Sequence, residues 1–361
     1  TKDSVGTITL SGANTGYTGP VTVAKGVMNI QNSNALGSTD VATTVISGAA
    51  LQLQNNITVA EQNIYINGTG VSSDGAIRNI SGANALSGTV NLSSAARINV
   101  DAGTLSMTNG TAAIAMGSNN INTGIAASSS LSVSGLITGS GSFTKDLTGT
   151  IYVSGANTGF SGAITVSNGV MNIQNNDALG TTTTGTTVSS GAALELQSGI
   201  TVAEATININ GGGVSSGGAI RSISGTNTFT GNINLQTAAR INVDANYLIL
   251  NNGTSAVTNN TFALTFGGSG TDSLSGKITG SGIVTKDGTG TLVLNVDNGT
   301  SYTGAATISA GLVKIMQNNS LGDATGTTTV SSGATVQIVS SSTLTIPEPI
   351  TINGAGIATN Q

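Results

Sequence analysis

The sequence predicts an all-β chain wound as a parallel β-helix, and three observations carry that prediction. The segment from Thr1 to Ser38 returns as Thr144 to Thr181 with 25 identities, and its opening returns again from Thr285. Between and within the copies, short runs alternate apolar and polar residues. The composition is poor in charge, at 7%, and in aromatic residues, at 3%, while 37% of residues are hydrophobic.

The repeat comes first, because a fixed long period is the signature of stacked architectures. The copies start at Thr1, Thr144 and Thr285, a period of about 142 residues. This divides the chain into unit 1 (1–143), unit 2 (144–284) and a partial unit 3 (285–361). Ser11-Gly-Ala-Asn14 and Ser81-Gly-Ala-Asn84 open similar stretches, and Ser154 and Ser224 repeat the pairing. Each full unit therefore reads as two related blocks of about 70 residues.

Within a block, Thr7-Ile-Thr-Leu10, Val21-Thr-Val23, Leu51-Gln-Leu53, Ile64-Tyr-Ile66, Ile98-Asn-Val100 and Leu131-Ser-Val133 alternate with period two. Such runs are strands with one face inward. Gly, Asn and Ser punctuate them and supply turn conformations that other residues resist. Tandem sandwiches would need one closed core per unit with aromatic anchors. A solenoid instead wants Val, Ile, Leu and Ala in a narrow interior and tolerates turns of varying length. Rungs of about 22 residues would give roughly 16 turns. Asn and Thr at matching positions on successive rungs are expected to form hydrogen-bonded ladders.

The same composition excludes several functions. The chain has no histidine, cysteine or tryptophan. It therefore lacks imidazole–nucleophile systems, thiolate metal sites and disulfides, and no cofactor is expected. A net charge of −5 gives no electrostatic footprint for nucleic acid. No stretch approaches the roughly 20 apolar residues of a membrane-spanning helix. Thr1-Lys-Asp-Ser4 is not a signal peptide and the final residues stop inside a repeat, so the expectation is a segment of a longer protein.

Gly6-Thr-Ile-Thr-Leu-Ser-Gly-Ala-Asn-Thr-Gly-Tyr-Thr-Gly19, then Val21-Thr-Val23 and Ala35-Leu-Gly37, resembles the autotransporter-associated β-strand repeat, also called the passenger-associated transport repeat. Segments running from Gly75 to Asp101, from Gly218 to Asp244 and from Leu274 to Asp287 resemble sequences that accompany it. The resemblance implies a right-handed parallel β-helix in large secreted or surface-attached bacterial proteins, many of them adhesin-like. It implies no particular activity.

Five features are candidate sites. Gly267-Gly-Ser-Gly-Thr-Asp272-Ser-Leu-Ser275 fits a calcium-binding nonapeptide, with Asp272 as a weak ligand candidate, but a single copy supplies half a site. It reads first as a structural turn. Arg97/Asp101 and Arg240/Asp244 recur in Arg-Ile-Asn-Val-Asp and read as surface pairs, with an acidic-sugar site as the functional alternative. Lys2-Asp3, Lys145-Asp146 and Lys286-Asp287 read as turn residues. Tyr17, Phe160 and Tyr302 occupy matching positions and read as solvent-side covers over a turn or as inter-strand caps rather than sugar platforms. The Thr181–Thr184 and Thr327–Thr329 runs invite comparison with ice-binding arrays, but those need flat Thr-x-Thr rows on consecutive rungs, and no such uninterrupted row is expected.

The functional expectation is a non-catalytic structural or adhesin-like rod at a bacterial surface or outside the cell. Its partners would be further copies of itself in filaments, neighbouring surface components, or host or matrix glycans. The competing expectation is a secreted polysaccharide-degrading β-helix, which needs carboxylates and Arg or Lys converging in one groove.

Overall fold

The computed structural model describes residues 1–181 and 184–357. It is a parallel β-solenoid whose elements are strands of two to twelve residues, with two short 3-10 turns at Val71–Ser73 and Val214–Ser216. The chain divides into two compact units, Thr1–Thr184 and Gly185–Gln361.

Unit Thr1–Thr184 carries three parallel rows. The first runs from Val21–Val23 through Thr43–Val45, Asn63–Gly68 and Thr89–Val100 to Ile114–Ala115 and Ile137–Thr138. The second begins at Thr7–Leu10, Gly26–Ile30, Ala49–Leu53 and Ile77–Asn79. It continues through the second half of Thr89–Val100, Ile121–Ile125, Phe143–Asp146 and Ile164–Val166. The third holds Thr58–Val59, Ala83–Leu86, Thr104–Met107, Ser130–Val133, Thr150–Val153 and Gly169–Ile173. The long strand Thr89–Val100 turns a corner between Leu92 and Ala96, so it serves two rows.

Unit Gly185–Gln361 has the same plan. Thr186–Val188, Thr206–Gly211, Asn232–Val243, Val257–Asn260 and Ile278–Gly280 form its first row. Its second row starts at Ala192–Leu196 and ends at Ile350–Ile352. Its third runs from Thr201–Val202 to Ala334–Ile338.

Period-two alternation sends every second side chain inward, and the inward set is almost wholly aliphatic: Val23, Val45, Ile66, Leu51, Ile77, Ile98 and Leu105 are fully buried. Burial of each such side chain contributes about 1.5–3 kcal/mol. Rungs vary in length. Thr7 lies beside Val27, Gly26 beside Ala49 and Leu51 beside Ile77, so the step grows from one rung to the next. The variation falls in turns, as stacked rungs permit.

Asparagines of the Ser-Gly-Ala-Asn motif stitch the corners. Asn157 Oδ1 accepts from Ile137 N–H of one rung at 2.8 Å, and its Nδ2 donates to Ala178 O of the next at 2.7 Å. Asn298 repeats the arrangement between Ile278 N–H and Ser320 O. These buried amides satisfy backbone groups that a turn leaves open. Outer ladders of the expected kind also occur, as between Asn91 and Asn63 at 3.1 Å and between Thr104 and Ser130 at 3.0 Å.

The repeat does not complete a whole number of turns. Val21–Val23 lies in the first row, whereas its repeat equivalent Ile164–Val166 lies in the second. Thr7–Leu10 and Thr150–Val153 stand likewise in the second and third rows. In the other unit, Thr186–Val188 and its equivalent Thr328–Val330 are one row apart. Equivalent outer residues therefore look out from different sides.

Candidate functional site

The outer face of the second row gathers the ionic groups. Register places Arg78 beside Asn99, Asn99 beside Gly124 and Gly124 beside Asp146. Arg97 donates from Nη1 and Nη2 to both carboxylate oxygens of Asp146, at 2.7 and 2.9 Å. Its Nη2 also donates to Asn99 Oδ1 at 3.1 Å, Asn99 Nδ2 donates to Asp101, and Asp101 accepts from Arg78 Nε. Asp74 adds a second carboxylate to Arg78 at 3.3 Å. The expected Arg97/Asp101 pair is thus corrected: Arg97 takes Asp146, two rungs on, and Asp101 takes Arg78. Side chains two apart on one strand lie side by side, and the amide of Asn99 fills the place between them.

The second unit builds the same chain of contacts. Arg240 Nη1 donates to Asp287 at 2.7 Å and its Nη2 to Asn242 at 3.2 Å; Asn242 donates to Asp244 at 2.7 Å. Asp244 lies 2.6 Å from Arg221 Nη2, and Glu195 lies 3.3 Å from Arg221 Nη1. Hydrogen bonding to Asp244 holds the Arg221 guanidinium still further above its ordinary range. Arg240 therefore pairs with Asp287 rather than Asp244, as in the first unit. All four arginines of the sequence sit in these two networks.

The Lys-Asp pairs are not turn residues. Lys145 and Lys286 lie in the strands Phe143–Asp146 and Val284–Lys286, point inward and are buried, as is Lys2. Alternation sends lysine in and the following aspartate out to its arginine. Lys145 Nζ reaches the turn carbonyls of Leu147 at 2.5 Å and Asn168 at 2.8 Å, and burial pulls its pKa down to about 8. Lys286 donates to Gly288 O, and Lys2 to Ser4 O and Lys25 O. The lysine is an internal brace for the turn that follows it.

Asp272 is also not in a turn. It lies in the strand Thr271–Leu274 with its side chain inward, fully buried, and neither carboxylate oxygen has a hydrogen-bond partner. Burial pushes its carboxyl well above the usual range, against the pull of Lys286 and then Arg240. Calcium needs six to eight oxygens, and no group of three or more Asp, Glu, His or Cys side chains that could hold a metal occurs among the described residues.

Of the three matching aromatics, Tyr17 is 46% exposed while Phe160 and Tyr302 are 1% and 2% exposed. Phe160 and Tyr302 bridge to Gly139 and Gly280 of the preceding rung, which covers them. The solvent-side cover thus fits Tyr17, and the inter-strand cap fits Phe160 and Tyr302. Thr265, Thr285, Thr307, Thr329 and Thr351 are consecutive register partners on the outer face. Outer threonines thus do line up singly, but not as the Thr-x-Thr row that an ice-binding array needs: the residues two further along each strand are Gly267, Asp287, Ser309, Ser331 and Asn353. Thr328, between its neighbours, points inward. Of the run 181–184, Thr182 and Thr183 lie outside the described residues.

Sequence reasoning missed a third set. Glu61, Glu204 and Glu348 are 3–4% exposed and each meets one threonine hydroxyl, of Thr43, Thr186 and Thr328. The signal was present: these are three of only four glutamates, each one repeat length beyond the last.

Glycan cleavage needs a carboxyl with raised pKa and an ionised partner flanking one accessible bond. Here the two properties are separated. Carboxyls with raised pKa are sealed inside, whereas the outer carboxylates of Asp74, Asp101, Asp146, Glu195, Asp244 and Asp287 are held by arginines. A family model for the passenger-associated transport repeat matches residues 1–30, 143–173 and 284–315. No curated protein and no solved structure matches the chain. Such repeats belong to autotransporter passenger domains, which are secreted or displayed at the surface. The inward lysine, the corner asparagine and the strand pair after it all fall inside the matched segments, and the chain is a parallel β-solenoid with three segments that match the passenger-associated transport repeat.

Proposed function

We propose that the chain is a non-catalytic structural passenger, a solenoid of units 1–143, 144–284 and 285–361 that spaces or presents other parts of a secreted or surface-displayed bacterial protein. The observation that carries this reading is the closure of its ionic chemistry. Every arginine is engaged by a carboxylate of its own chain. Such mutual neutralisation favours stacking of rungs over recognition of a charged substrate.

The test is a panel of acidic and neutral polysaccharides incubated with the purified chain and with Arg97→Ala and Arg240→Ala variants. The expected result is no new reducing ends or unsaturated uronates with any of them. Saturable turnover lost in either variant would replace the structural reading with the enzymatic one. Filament formation belongs to the same proposal: low charge opposes association weakly, while the one-row advance between repeats turns equivalent patches to different sides. That favours end-on over side-by-side contact. Sedimentation of native full-length material at rising concentration is expected to show elongated multimers, and monomers alone would remove the filament.

A further inference from the structure

Three times the solenoid seals a glutamate against a threonine of the preceding rung. Glu61 Oε2 lies 2.6 Å from Thr43 Oγ1, Glu204 Oε1 3.2 Å from Thr186 Oγ1, and Glu348 Oε1 2.8 Å from Thr328 Oγ1. Each threonine is the inward first residue of its strand, Thr43–Val45, Thr186–Val188 or Thr328–Val330. These residues pair with Ile64, Ile207 and Ile350, just after the glutamates. The next rung closes over the first two as glycine: a Cβ on Gly88 would lie 1.5 Å from Glu61 O, and one on Gly231 1.7 Å from Glu204 O. Glu61 Oε1 and Glu348 Oε2 are buried with no partner.

Among the described residues no cation faces these carboxyls. Burial dominates around Glu61 and Glu204, and the threonine is the only other influence on either. Asp40, on the turn before Thr43, is exposed and bonds Gln62 rather than Glu61. Glu348 meets the like charge of Asp323 and lies near the Tyr302 phenol, which burial keeps neutral. Ionising any of the three would place an uncompensated charge in the interior.

We propose that Glu61, Glu204 and Glu348 form a proton-dependent lock that holds the rungs of this histidine-free solenoid more tightly in acid than in alkali. Proteins ordinarily respond to pH near neutrality through histidine, which this sequence lacks. Burial instead lifts each glutamate from 4.5 to about 7. The folded value stands above the unfolded one, so the stabilisation is complete below about pH 4.5 and is lost as pH rises through about 7.

The experiment has two arms on the intact chain. With only four glutamates, carbon-13 labelling of their carboxyls resolves each titration, and three are expected to titrate near neutrality. Native-state hydrogen exchange, corrected for intrinsic rates, is then read in Asn63–Gly68, Thr206–Gly211 and Ile350–Ile352. Opening in these strands is expected to rise roughly tenfold or more from about pH 5.5 to about pH 8. The triple variant Glu61→Gln, Glu204→Gln, Glu348→Gln is expected to abolish that rise. Should the triple variant not fold, Glu61→Gln alone is expected to flatten the response in Asn63–Gly68 and leave the other two strands responsive. Titration of all three carboxyls in the ordinary acidic range overturns the proposal, as does an undiminished rise in the glutamine variants.

Discussion

Arg97 clasps Asp146 across an intervening strand, and Gly124 is the residue of that strand beneath the clasp. A Cβ on Gly124 would lie 2.1 Å from Arg97 Nη2 and 2.0 Å from Asn99 Oδ1. Gly267 stands in the same relation to Arg240, at 1.8 Å. The glycine makes room for a guanidinium to span two rungs, converting a pairwise strand contact into a three-strand one.

Gly124→Ala is therefore expected to destabilise the unit by about 1–3 kcal/mol, the range for a charge-assisted bidentate pair. In an Arg97→Ala background the same substitution should cost much less, because the clasp is already absent. A double-mutant cycle by urea unfolding reads the difference. Equal costs in both backgrounds would show that Gly124 serves the backbone and not Arg97.

Lys145 gives a second prediction, with its own pH signature. Lys145→Met keeps the bulk but leaves the carbonyls of Leu147 and Asn168 without their donor. The expected loss is about 2–5 kcal/mol at neutral pH. The folded pKa of about 8 lies below the unfolded 10.5. The titration-linked part of this lysine's contribution is thus full above about pH 10.5 and is lost as pH falls through about 8, so the cost read at neutral pH is that of the missing donor and packing. Between those values the wild type should gain stability relative to Lys145→Met, measured as the difference in urea midpoint; a constant difference would place the ammonium in solvent.

Much of this fold was legible in the sequence because period two and the long repeat are direct images of pleat and stacking. The alternation in Val21-Thr-Val23 is enough to say which side faces in. The same alternation, applied to Phe143-Thr-Lys-Asp146, sends Lys145 inward beside Phe143, but the charge of lysine argued for a turn and prevailed. Arg97 and Asp146 were beyond reach for another reason. Their meeting depends on two successive rungs of unequal length, from Asn99 to Gly124 and from Gly124 to Asp146, and no constant period predicts that. The five-threonine column is different, since Thr285, Thr307, Thr329 and Thr351 follow one another at a constant 22 residues, the rung length expected from the sequence.

The matched aromatics separate position from environment. Phe160→Ala is expected to cost about 3–5 kcal/mol, the range for a buried ring. Tyr17→Ala, at the same place in the repeat but half exposed, should cost no more than about 1 kcal/mol. Thermal unfolding of the two variants decides it. Comparable losses would mean that the environment of the ring does not set its contribution.

Asp272 supplies the last prediction, and the repeat itself names the substitution. The segment Ser130-Leu-Ser-Val-Ser-Gly-Leu-Ile-Thr138 aligns with Thr271-Asp-Ser-Leu-Ser-Gly-Lys-Ile-Thr279, so Leu131 stands where Asp272 does. Leu131 is fully buried, and Lys145 in its unit needs no internal acid: two carbonyls hold it. Asp272, by contrast, has no hydrogen-bond partner for either oxygen. Its attraction to Lys286 offsets only part of the cost of burial, which is why its carboxyl is raised and the Lys286 ammonium lowered. Replacing a poorly compensated buried charge with a fitting apolar side chain typically stabilises by about 1–4 kcal/mol. Asp272→Leu is accordingly expected to raise the urea midpoint, and Asp272→Asn to change it less, since an amide there would still lack partners. Millimolar calcium should leave the wild-type midpoint unmoved. A calcium-dependent rise that Asp272→Leu abolishes would instead make this carboxylate a ligand and require the strand to open around it.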